Sequence, residues 1–85
     1  MIAPIEGWSA ADDGKSWTRS FRFQDFSHAF AFMTRVALAA ESRDHHPDWR
    51  NVWNLVEIKL STHDAGGITQ RDAELARAIN LIFED

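Results

Sequence analysis

The stretch Lys15-Ser16-Trp17-Thr18-Arg19-Ser20-Phe21-Arg22-Phe23-Gln24-Asp25-Phe26-Ser27-His28-Ala29-Phe30 (residues 15–30) changes its apolar period part-way along, and that change decides the fold. Over its first nine residues Trp17, Phe21 and Phe23 share one side of an alternating pattern, with Arg19 the exception, as expected of a strand with one buried face. From Phe26 onward the apolar residues recur three or four apart, through Ala29/Phe30, Met33, Val36/Ala37 and Ala40. That is the stripe of a half-buried helix, with Ser27 as its expected N-cap. A strand followed by an amphipathic helix buries both faces only when a layer of sheet meets a layer of helix.

Upstream, Asp13-Gly14 is a hairpin-turn dipeptide, so residues 8–23 read as two strands joined by a tight turn. Downstream, Pro47 biases His46 away from helical geometry, and the helix is expected to fade near Ser42 into the polar loop Arg43-Asp44-His45-His46. Residues 52–60 alternate again, with Val56, Ile58 and Leu60 on one face and Leu55, Glu57 and Lys59 on the other. Ser61 and His63 continue the second, more polar face. Residues 49–53 read as a short strand ahead of this one, joined to it by a tight turn. After the loop Asp64-Ala65-Gly66-Gly67, Thr69 with Asp72 three residues later resembles a capping box, and Leu75/Ala76, Ile79 and Ile82/Phe83 mark a second amphipathic helix. The order strand, strand, helix, strand, strand, helix predicts an α+β fold: an antiparallel sheet with its helices packed on one face.

At 85 residues the chain has room for one domain, 1–85, around one core. Four Trp and six Phe supply much of it, since each large ring buries ~150–250 Å². With no Cys, a disulfide framework, a thiolate metal site and a cysteine nucleophile are all excluded. Thirteen acids against nine bases, with no Lys/Arg cluster, argue against direct nucleic-acid binding. No apolar run is longer than that of Val36 to Ala40, which is too short to span a membrane, and a cytoplasmic protein is expected.

Three of the four histidines fall in two segments, His45-His46 and His63, with Glu41, Asp44, Asp48 and Asp64 nearby. Imidazoles titrate near pH ~6.5 and can both give and take protons at neutral pH. Glu41, four residues before His45, is placed to hydrogen-bond an imidazole if the helix reaches that far. Asp72 reads equally as a helix cap or as a site carboxylate, and His28 as a surface residue. Trp49 and Trp53 either fill the core or wall a flat aromatic ligand. A metal site is not expected: adjacent His45 and His46 point apart in extended backbone, and no His pair has the i, i+4 spacing of a helical zinc site. Gly66-Gly67 lacks the rest of any phosphate-loop fingerprint, and no nucleophile elbow is present.

Taken together, Glu41, three residues, His45-His46-Pro47, five residues, Trp53, nine residues, His63, eight residues and Asp72 resembles the signature of the pterin-4a-carbinolamine dehydratases. Phe23-Gln24-Asp25-Phe26, Met33-Thr34-Arg35-Val36-Ala37, Asn51-Val52-Trp53-Asn54 and Leu60-Ser61-Thr62-His63 are similar to family sequence as well. The resemblance implies a four-stranded antiparallel sheet with helices on one face, and a homodimer or homotetramer. Family members usually carry a further helix ahead of the Gly-Trp that here is Gly7-Trp8, and the expectation is that this chain lacks it. The implied activity is that of a 4a-hydroxytetrahydrobiopterin dehydratase, a hydro-lyase that needs no cofactor and no metal. Its product is the quinonoid dihydropterin, recycled for aromatic amino acid hydroxylases.

By the same resemblance His45 and His63 share the acid and base roles, and His46 positions substrate. Asp44, Ser61, Thr62 and Asp64 meet the polar edge of the pterin. Glu41 and Asp72 stand behind them, and Trp49 is a stacking candidate. Two alternatives come with the family: service as a dimerisation cofactor for a transcription factor, and action on another pterin, for example in molybdenum-cofactor metabolism.

Overall fold

A computed structural model describes residues 2–85. Strands β1 (Ser9–Ala10), β2 (Trp17–Arg22), β3 (Asp48–Val52) and β4 (Leu55–Leu60) form one antiparallel sheet in the order β1-β2-β4-β3. Helices α1 (Phe26–Ser42) and α2 (Gln70–Glu84) cover one face of it, and a single 3-10 turn, His63–Ala65, lies between β4 and α2. The α+β, two-layer expectation is met, strand for strand and helix for helix.

The register explains which residues form the core. Trp17 pairs with Leu60, Arg19 with Ile58 and Phe21 with Val56, so their side chains rise from the same face of the sheet. All of these except Arg19 are buried. Arg19 is retained on this face because its guanidinium lies over the Phe21 and Phe83 rings and donates to Asn80 Oδ1 at 2.6 Å. Asn80 Oδ1 also accepts from Trp8 Nε1, and its amide donates to the Glu6 carbonyl, tying the N-terminal segment to α2.

Three local expectations are corrected. First, the N-cap of α1 lies two residues before Ser27. Asp25 is the N-cap, accepting the backbone N–H of His28 at 2.8 Å. That N–H, and then the His28 ring, hold the Asp25 carboxyl below its usual 3.8. Second, α1 carries more apolar residues than one face can bury: Ala29, Phe32, Val36 and Ala40 enter the core, whereas Phe26, Phe30 and Ala37 lie outside. Third, Val52 ends β3 instead of opening β4. The chain reverses at Trp53-Asn54, where Trp53 takes φ 50° and the Asn51 amide holds the Trp53 and Leu55 carbonyls.

Candidate active site

The end of α1 positions the first two histidines. The His45 N–H reaches back to the Ala40 carbonyl and the Asp44 N–H to that of Glu41, with Asp44 at φ 51°. This is a Schellman closure, with an Asp in the left-handed position that glycine usually fills. Its consequence is that the chain folds back on the last turn of α1, so His45 turns inward and His46 outward. His45 is buried, and its Nε2 lies 2.7 Å from Asp72 Oδ1. His46, half-exposed, pairs through Nε2 with Glu41 Oε1 at 2.8 Å. The imidazole that Glu41 reaches is thus that of His46.

Asp72 caps α2 and also bonds the His45 ring. Its Oδ2 accepts the Thr69 backbone N–H at 2.9 Å, completing a capping box at the start of α2, and also the Thr62 hydroxyl at 2.7 Å. Its Oδ1 is left for His45. With 0% of its surface exposed and every acceptor occupied, this carboxylate orients the imidazole rigidly. As a carboxylate it accepts the Nε2 proton, leaving Nδ1 as the ring's acceptor. Nδ1 makes no hydrogen bond among the described residues and is not sealed from solvent.

The third histidine comes from the other side of the fold. After β4 a bridge between Thr62 and Gly67 closes a short loop, with Gly66 at φ 68° ending the 3-10 turn His63–Ala65. His63 sits at the head of that turn, exposed. The two segments face each other across one cleft of about 280 Å³ lined by Asp44, His45, His46, Ser61, His63, Asp64 and Arg71. All three imidazoles therefore converge, from two separate stretches of backbone.

The family profile described as pterin 4 alpha carbinolamine dehydratase matches residues 1–82. The chain belongs to this family. Similar curated proteins include one from Afipia carboxidovorans, 59% identical over 95% of this chain and 81% of its own length. Another, from Mesorhizobium japonicum, is 58% identical over 96% of this chain and 84% of its own. Both carry the name "Putative pterin-4-alpha-carbinolamine dehydratase". A crystal structure of a transcriptional coactivator/pterin dehydratase from Brucella melitensis superposes with a TM-score of 0.89 at 47% identity, covering 93% of this chain and 84% of that one. A pterin dehydratase-like RuBisCO assembly factor of the alpha-carboxysome shares the fold, with a TM-score of 0.77 at 17% identity over 91% of this chain and 89% of its own.

Set against the family signature, Asp44, Ser61 and Asp64 line the cleft beside the three histidines. Thr62 does not: its side chain turns inward, 2% exposed, and holds Asp72 and the Thr69 hydroxyl. Trp49 packs against the core beside Ile58 and is absent from the cleft wall, while Trp53 stands 64% exposed at the hairpin tip. Arg71 lines the cleft and was not anticipated. Its signal was a basic residue in the first turn of a helix, where the dipole disfavours cations. Among the described residues, no group of three or more His, Cys, Asp or Glu side chains is disposed to hold a metal ion. No described helix is long and apolar enough to cross a membrane.

Proposed function

We propose that this chain dehydrates a 4a-hydroxytetrahydropterin to the quinonoid dihydropterin by histidine acid/base catalysis, recycling the pterin of aromatic amino acid hydroxylases. The carbinolamine carbon loses its hydroxyl while the adjacent ring nitrogen loses its proton, and a carbon–nitrogen double bond forms. His45 Nδ1 takes the nitrogen-bound proton. His63 protonates the departing hydroxyl, which leaves as water, and exchange with solvent restores both rings. His46, steadied by Glu41, positions the heterocycle, and Asp44, Ser61 and Asp64 meet its polar edge. Asp72 and Thr62 act through His45.

One observation carries this reading: a buried carboxylate fixes His45, which lines one cleft together with His46 and His63. The test is the rate of carbinolamine loss with wild type, His45→Ala and His63→Ala. Each substitution should lower kcat about 10²- to 10⁴-fold with the fold intact, the range for a lost general acid or base. Wild-type rates in both variants would refute it.

The active form in this reading is a homodimer or homotetramer. Support comes from β3, which is a sheet edge, and from Phe26, Phe30 and Leu38, which α1 leaves exposed. The same exposed α1 face favours a second reading, a dimerisation cofactor that packs on a helix of a transcription factor. A complex with such a helix that survives His45→Ala supports it; self-association alone counts against it.

A further inference from the structure

Arg71 is the one charged side chain of the imidazole cleft to which the reaction above gives no part. It lines that cleft with Asp44, Asp64 and the three histidines, and no other Lys or Arg does. Although two carboxylates share the cleft, the guanidinium makes no ion pair among the described residues. Only the Arg71 backbone N–H is engaged, donating to Thr69 Oγ1 at 3.2 Å. Arg71 is exposed and stands in the first turn of α2, two residues after the Thr69 cap, where the helix dipole opposes a positive charge. A cation held at an unfavourable place, beside acids it does not pair with, has its donors free for a ligand.

Along one side of a 4a-hydroxytetrahydropterin the groups run N3–H, C4 carbonyl, 4a-hydroxyl, N5–H. Asp44 and Asp64 suit the N–H donors of the polar edge, His63 serves the hydroxyl and His45 takes the N5 proton. The C4 carbonyl between them needs a donor, which a carboxylate cannot be. Ser61 offers one neutral O–H, whereas a guanidinium offers a planar fork of N–H groups and a fixed charge. Arg71 and Asp64 also border a second depression together, beside Ala65 and Gln70, so Arg71 belongs to the Asp64 side of the cleft. His63 is the residue next to Asp64, in the same 3-10 turn. We propose that Arg71 donates to the C4 carbonyl oxygen and, through the same fork, to the departing 4a-oxygen, selecting 4-oxo pterins and stabilising the leaving group. As the C4a–O bond breaks, His63 supplies the proton that makes water, the N5 proton passes to His45 and the C4a–N5 double bond forms. Arg71 exchanges no proton; it steadies the negative charge that builds on the oxygen ahead of that transfer. This inference rests on the pterin reading of the cleft and adds a catalytic residue to it.

The experiment compares binding of an oxidised, unreactive pterin with that of its 2,4-diamino counterpart, in which a donor replaces the C4 oxygen, by fluorescence quenching at a pH where both are neutral. Wild type, Arg71→Met, Arg71→Lys and Ser61→Ala are measured, each with a thermal melt and a carbinolamine assay. Wild type should favour the 4-oxo ligand at least tenfold, the scale of a charge-assisted hydrogen bond. Arg71→Met should abolish that preference, Arg71→Lys retain part of it, and Ser61→Ala retain it. The kcat of Arg71→Met should fall about 10²-fold, as for a lost oxyanion donor, with Arg71→Lys in between. Its Tm should hold or rise, because the conflict with the α2 dipole is removed, a combination that a merely structural role would not give. A 4-oxo preference that persists in folded Arg71→Met, one that disappears in Ser61→Ala instead, or an unchanged kcat in Arg71→Met would each overturn the proposal. A preference carried by Arg71 in a protein that dehydrates no carbinolamine would instead overturn the activity and leave the carbonyl contact standing.

Discussion

Replacing Asp72 separates its two duties, because Asn and Ala remove different parts of what the carboxylate does. In Asp72→Ala the Thr69 N–H loses its cap and the His45 ring its carboxylate partner, at a fully buried position. Breaking a buried, hydrogen-bonded pair in this way costs about 3–5 kcal/mol. At ~0.05–0.15 kcal/mol per residue the whole domain is stable by about 4–13 kcal/mol, so this variant should lose much or all of its fold. Asp72→Asn keeps the shape. Its amide oxygen still accepts from Thr62 and Thr69, and its NH₂ group then faces His45 Nε2. Weakening the two charge-assisted bonds costs about 1–2 kcal/mol, a fall in Tm of about 5–15 °C. The chemical effect is larger: the ring must accept at Nε2 and carry its proton on Nδ1, the wrong tautomer for a base at the cleft. The expected loss in kcat is about 10²- to 10⁴-fold. Nitrogen-15 spectra of the imidazoles read the tautomer, thermal melts the fold, and a carbinolamine assay the rate. A folded Asp72→Asn protein with near wild-type kcat would refute the reasoning.

Asp44→Gly removes a left-handed Asp from the α1 terminus, so stability should hold or rise by up to about 1 kcal/mol while KM for the carbinolamine increases; melts and steady-state kinetics measure the two. Gly7→Ala should lower stability by about 2 kcal/mol, because φ is +88° there and the new Cβ would lie 2.6 Å from Arg19 Nη1; chemical denaturation reads it. Asp25→Ala should lower Tm at neutral pH, and the gap from wild type should close in acid. The Asp25 carboxyl is held below 3.8 in the fold, so its contribution is fully present above that pH and disappears as pH falls through the folded value. A gap that stays constant down to pH ~2 would contradict the cap assignment.

The switch of period at residues 23–26 was enough to predict a sheet layer and a helix layer, because burial of an alternating face and of a three-to-four stripe leaves few architectures. Finer placement failed where two signals competed. Ser27 and Asp25 both qualify as caps, and the local geometry that let Asp25 reach the His28 N–H is not written in composition. Phe26 and Phe30 have the helical spacing of core residues but lie on a second stripe, which only the position of α2 turns outward. At the site, the signature residues were legible as a set, whereas their division of labour was not. Thr62 alternates inward from Ser61 and His63, so it serves the buried Asp72 while its neighbours line the cleft. Arg71 joined the cleft through the start of α2, a meeting of segments that follows from tertiary packing.

The central claim is that His45, His46 and His63 surround one planar heterocycle. Imidazole nitrogen resonances of the three, assigned through single substitutions and followed during titration with an oxidised pterin, test it most directly. All three should shift along one saturable curve with a shared Kd, while His28, paired with Asp25 at the far end of α1, stays still. A pterin that binds without moving His45 and His63, or moves them with different affinities, would contradict the account.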